Sequence, residues 1–85
     1  MPRLILYTTA WCGFCVRAKQ LLEARGYAYR EVSLDDDASF RETVARIGDG
    51  RTSVPLITLD DETIGGYEEL AALDRSGELA LRLAG

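Results

Sequence analysis

Apolar and polar positions divide the chain into short segments whose period switches between two and about 3.6. Residues 3–8, with the run Leu4-Ile5-Leu6-Tyr7-Thr8, are almost continuously apolar, the pattern of a strand buried on both faces in the middle of a sheet. Over Gly13–Arg25 the pattern becomes helical. Val16, Ala18, Leu21 and Leu22 fall on one face and Arg17, Lys19, Gln20 and Glu23 on another, and Gly26 supplies the stop. Residues 27–34, with the alternation Tyr29 to Leu34, predict a second strand, parallel to the first because a helix crosses between them.

The second half continues in the same manner. Phe40, Val44 and Ile47 predict a helix over 38–47, closed by Gly48 and Gly50. Ahead of it, Asp35-Asp36-Asp37 reads as a solvated loop whose acids favour the helix N-terminus. Leu56–Leu59 and the short run Thr63-Ile64 flank the turn residues Asp60-Asp61-Glu62 and predict a β-hairpin. After Gly65-Gly66 come a helix over 67–75, with Leu70, Ala71 and Leu73 inward, and a last short helix over 78–83.

The chain of 85 residues is 47% hydrophobic and 28% charged, so we expect one ordinary globular domain rather than a disordered or membrane-spanning chain. The apolar run after Met1-Pro2-Arg3 is too short for a signal peptide, and the expectation is a cytoplasmic protein. A net charge of −4 argues against nucleic acid as the main partner. With no histidine, Ser/His and Cys/His triads are excluded. Chemistry must come from thiols, carboxylates and backbone dipoles.

The only two cysteines, in Trp11-Cys12-Gly13-Phe14-Cys15, stand where the first strand gives way to the first helix. Residues i and i+3 on a helix lie about 5–6 Å apart between Cβ atoms, within disulfide reach. The unpaired N–H groups and positive dipole of the first turn favour a thiolate on Cys12, lowering its pKa. Cys12 is therefore the candidate nucleophile and Cys15, deeper and more shielded, the resolving thiol. The alternative is half of a zinc site, but its remaining ligands would have to be carboxylates or come from a second chain.

Two further stretches bear on chemistry. Val54-Pro55 precedes an apolar strand; on the residues alone a trans proline at the strand start is favoured, whereas a cis bond would let the Val54 backbone pair with an extended substrate. Gly65-Gly66-Tyr67-Glu68-Glu69 reads either as a turn with acids complementing a helix dipole, or as a site where the Tyr67 and Glu68 N–H groups hold a carboxylate and Glu68 or Glu69 meets an ammonium.

The order strand, Cys12-Gly13-Phe14-Cys15, Arg17-Ala18-Lys19, Arg51-Thr52-Ser53-Val54-Pro55, Ile64-Gly65-Gly66 and the closing run from Leu73 to Leu79 resembles a dithiol glutaredoxin over essentially the whole chain. The resemblance implies an α/β, thioredoxin-like fold: a four-stranded mixed sheet in βαβ-ββα order, flanked by helices, with a short extra C-terminal helix. It also implies a cis Val54-Pro55 bond, and a glutathione site formed by Phe14, Ser53, Val54, Pro55, Gly66, Tyr67 and Glu68. The activity implied is glutathione-dependent reduction of protein disulfides and glutathione mixed disulfides, by a protein expected to be a monomer with no tightly bound cofactor, glutathione serving as co-substrate.

The chain also departs from the family. Cys-Pro-Tyr-Cys has become Cys-Gly-Phe-Cys, Thr9 stands where a glutathione-binding lysine is common, and Glu68-Glu69 replaces Asp-Asp. The missing lysine removes a charge-assisted hydrogen bond of roughly 1.5–3 kcal/mol, leaving Arg41 or Arg51 to compensate. Trp11 before the nucleophile is similar to the thioredoxin arrangement; it either flanks the sulfur or is a partly exposed packing residue. Two alternatives follow from these departures. One is a disulfide reductase coupled to thioredoxin reductase. The other is a carrier or sensor holding a [2Fe–2S] cluster between two protomers through Cys12 and glutathione thiols.

Overall fold

The computed structural model describes residues 2–35, 40–48 and 54–84, with the backbone alone at 40 and 41. Four strands and four helices follow in the order β1 (Leu4–Thr8), α1 (Gly13–Arg25), β2 (Tyr29–Ser33), α2 (Phe40–Ile47), β3 (Leu56–Leu59), β4 (Glu62–Gly65), α3 (Tyr67–Ser76) and α4 (Glu78–Ala84). They form one four-stranded mixed sheet in the order β2-β1-β3-β4, with β1 parallel to β2 and antiparallel to β3. This is the thioredoxin-like α/β fold.

The register follows from burying apolar side chains on two unequal faces. Leu4, Leu6, Ile57 and Leu59 meet Ala18 and Leu22 of α1, Leu70 of α3 and Leu79 of α4 in the larger core. On the opposite face Leu34, Val44 and Leu56 form a smaller cluster edged by Tyr7, Val32, Ile47 and Val54. β3, next to the centre, is buried at every position. β1 departs from the expected two-sided burial, because Ile5 and Tyr7 remain half-buried. The eight-residue α2 covers their face less completely than three helices cover the other.

α1 also differs in its inward face. Val16 is exposed, and Cys15, Ala18 and Leu22 are the buried residues, at i, i+3 and i+7 along one stripe. At the other end of the sheet the β3–β4 turn is only two residues, Asp60 and Asp61, both with positive φ, as a type I′ hairpin turn requires. Glu62 accordingly belongs to β4 instead of the turn. Arg3 grips Asp60 through Nε at 2.9 Å and Nη2 at 2.7 Å, and donates to the Leu83 and Arg82 carbonyls at 3.0 Å each. The first strand, the hairpin and the last helix are thereby joined, and the same pairing lowers the Asp60 pKa and raises that of Arg3.

Gly48 closes α2 by close approach. A Cβ there would lie 2.8 Å from the Val44 carbonyl oxygen and 2.9 Å from Leu56 Cδ1, so a side chain would disturb the last turn of α2 and displace Leu56.

Candidate active site

β1 ends at Thr8 and the chain turns into α1 with Cys12 as N-cap, in extended backbone conformation (φ −127°, ψ 104°). An N-cap side chain faces the unpaired N–H groups of the first turn. Here the acceptor is sulfur: the Cys15 N–H donates to Cys12 Sγ at 3.0 Å. The two cysteines form a disulfide across a Cα–Cα distance of 5.2 Å. Cys15 is buried at 1% exposure, whereas Cys12 is half-buried. The sulfur nearer solvent is therefore the one that also receives the helix N–H.

The remaining sequence motifs gather around this pair. The Val54–Pro55 bond is cis, and the Val54 carbonyl oxygen lies 3.6 Å from Cys12 Sγ. Gly66 abuts the same loop, since a Cβ on it would sit 3.5 Å from the Pro55 carbonyl oxygen. The Phe14 ring lies 6.0 Å from the Tyr67 ring, tilted by 33°, an aromatic contact between the cysteine turn and the start of α3. Phe14, Val54, Pro55, Gly66 and Tyr67 thus come together beside Cys12 from three separated stretches. Ser53 and Arg51, and the Arg41 side chain, lie outside the described residues, as do Asp36 and Asp37.

The two acids after Gly66 have different tasks. Glu69 turns back and accepts from the Gly66 N–H at 2.9 Å, half of a capping box. It is committed to the turn, whereas Glu68 is exposed. Trp11 is 98% exposed, so among the described residues it is not a packing residue.

The roles of several supporting residues escaped the sequence reading. Asp35 accepts from the Ala10 N–H at 2.7 Å and from the Ser33 hydroxyl at 2.9 Å, so this exposed acid also anchors the loop entering the cysteines. Behind them the buried Thr8 donates to Glu31 at 2.7 Å, and Lys19 meets the same oxygen at 3.2 Å. The Thr8 hydroxyl first, and Lys19 beside it, hold the Glu31 carboxyl below its usual pKa against some desolvation. No pattern in the sequence pairs these residues; only strand register brings Thr8 across from β2.

A family model described as Glutaredoxin matches residues 4–64. The chain belongs to the glutaredoxin family. It is 43% identical over 79 residues to a glutaredoxin of Pseudomonas aeruginosa, the match covering 93% of each chain. Among solved structures, the holo form of glutaredoxin C1 from Populus tremula x tremuloides superposes with a TM-score of 0.86 at 27% identity, covering 98% of this chain and 84% of that one. A buckwheat glutaredoxin–glutathione complex shares the fold at a TM-score of 0.84 and 24% identity, over 96% of this chain and 76% of that one. Membership in the glutaredoxins and the Cys12–Cys15 pair make the protein a thiol–disulfide oxidoreductase. No described helix is long and apolar enough to cross a membrane.

Proposed function

We propose that the protein is a glutathione-dependent glutaredoxin that reduces protein disulfides and glutathione mixed disulfides, with Cys12 as nucleophile and Cys15 as resolving thiol. The observation that carries this is the 3.0 Å contact from the Cys15 N–H to Cys12 Sγ at the start of α1. Such a contact stabilises negative charge on Cys12 and leaves the buried Cys15 without that advantage. In the reaction, Cys12 thiolate attacks one sulfur of the substrate disulfide and the other leaves as thiolate. Cys15 then attacks the mixed disulfide, releasing the reduced substrate and closing Cys12–Cys15. Two glutathione molecules return the dithiol form and leave as glutathione disulfide.

Glutathione is supported as the reductant by the convergence of Phe14, Val54-Pro55 and the Gly66-Tyr67-Glu68 turn on Cys12, and by the glutathione bound in the buckwheat relative. In this reading Val54 offers its backbone to the extended tripeptide and the first turn of α3 faces its carboxylate. The iron–sulfur alternative rests on Cys12 alone in this chain.

The test is trapping. Cys15→Ser should accumulate a glutathione adduct on Cys12, detected by mass, whereas Cys12→Ser should accumulate none. The reverse pattern would overturn the assignment. Turnover with glutathione and glutathione reductase, set against thioredoxin reductase, decides the reductant.

A further inference from the structure

Arg17 lies one turn beyond Phe14 on α1 and has an unusual partner. Arg3, Lys19, Arg25 and Arg82 each meet a carboxylate at 2.7–3.2 Å. Arg17 meets none among the described residues. Its guanidinium stands over the Phe14 ring, 5.5 Å from the centroid, a cation–π arrangement that orients the planar fork without satisfying its donors. Between them opens a groove of about 230 Å3, lined by Gly13, Phe14 and Arg17. Gly13 directly follows Cys12 in the chain, so the groove starts one residue from the nucleophile.

We propose that Arg17, held on Phe14, selects protein substrates carrying an Asp or Glu two or three residues from the cysteine that Cys12 attacks. Three observations support an acidic peptide as occupant. The groove offers a ring and a glycine backbone for apolar contact, a positive fork for a planar carboxylate, and a start at the residue that follows Cys12. The spacing follows from helix and strand geometry. Arg17 is five residues beyond Cys12, about 7.5 Å along the axis at roughly 1.5 Å per residue, and an extended peptide advances about 3.3 Å per residue. The proposal rests on Cys12 being the attacking thiol, as argued above.

The test uses reduced protein and single-cysteine peptides whose sulfur is joined to 5-thio-2-nitrobenzoate. Cys12 thiolate attacks the peptide sulfur, a Cys12–peptide disulfide forms, and the chromophore leaves as thiolate with the electron pair of the broken bond. Three peptides differ only in Glu, Gln or Lys two residues from the cysteine. The expected second-order rates fall in the order Glu, Gln, Lys, by about two- to fivefold per step for an exposed ion pair, and the spread closes in 1 M salt. Arg17→Gln should shrink the spread and Arg17→Glu should reverse the order. Equal rates for all three peptides with the unmodified protein would overturn the Arg17 assignment while leaving the Cys12 chemistry standing. A uniform slowing of all three by Arg17→Glu would overturn it too, because it would place the effect on the Cys12 thiolate. No chromophore above the Cys12→Ser background would instead remove the underlying attack, and the proposal with it.

Discussion

Replacing Gly65 with alanine disturbs two linked features at the edge of the site. Gly65 has φ of +124°, a region in which an L side chain is strained by about 1–3 kcal/mol. The new Cβ would also lie 2.5 Å from Glu69 Oε1 and 3.0 Å from Glu69 Cγ. The Glu69 carboxylate is the far end of a flexible chain and can swing clear, but doing so releases the Gly66 N–H it accepts at 2.9 Å. Losing such a cap costs about 0.5–2 kcal/mol. Gly65→Ala should therefore destabilise by about 1.5–5 kcal/mol, and Glu69→Ala alone by at least the cap contribution. The double variant should be no less stable than Gly65→Ala, since the first change has already broken the contact that the second removes. Urea unfolding of the four disulfide-bonded proteins, followed by far-ultraviolet circular dichroism, measures this cycle. If the two losses add in full, the Gly65–Glu69 contact is not the mechanism and the reasoning fails.

Glu31 gives a pH signature. Its carboxyl sits below the ordinary value of 4.5, chiefly through the Thr8 hydroxyl. A depressed folded pKa contributes stability above the unfolded value, and that contribution is lost as pH falls through the folded pKa. Stability measured from pH 7 downward should therefore drop more steeply below about 4.5 in the unmodified protein than in Glu31→Gln; parallel curves would contradict the assignment. Leu22, fully buried between α1 and the sheet, should cost about 2–5 kcal/mol as Leu22→Ala, read as a lower urea midpoint, and a loss under about 1 kcal/mol would mean the core closes over the gap.

Much of the architecture was legible locally. The period change between Thr8 and Gly13 marked the first strand and helix, and α1 runs over the residues the pattern indicated. Turn residues located the hairpin, and Gly26 and Gly77 mark the ends of α1 and α3. The cysteine pair, too, was readable, because i, i+3 spacing at a helix start is itself a local geometry. Val16 shows the limit of that method: its apolar side chain suited the buried stripe, but the rotation of α1 against the sheet put Cys15 there and left Val16 in solvent.

Residue order alone determined that a redox-capable thiol pair would sit at a strand–helix junction, since hydrophobic period, capping and thiol spacing act within a few residues. Tertiary structure decided what surrounds that pair. The Val54 carbonyl reaches Cys12 Sγ across 42 positions, Asp35 secures the loop before it across 25, and Glu31 meets Thr8 across 23. These contacts depend on strand order and register. Both are set by burying two unequal apolar faces at once, a condition that no short window of the chain contains.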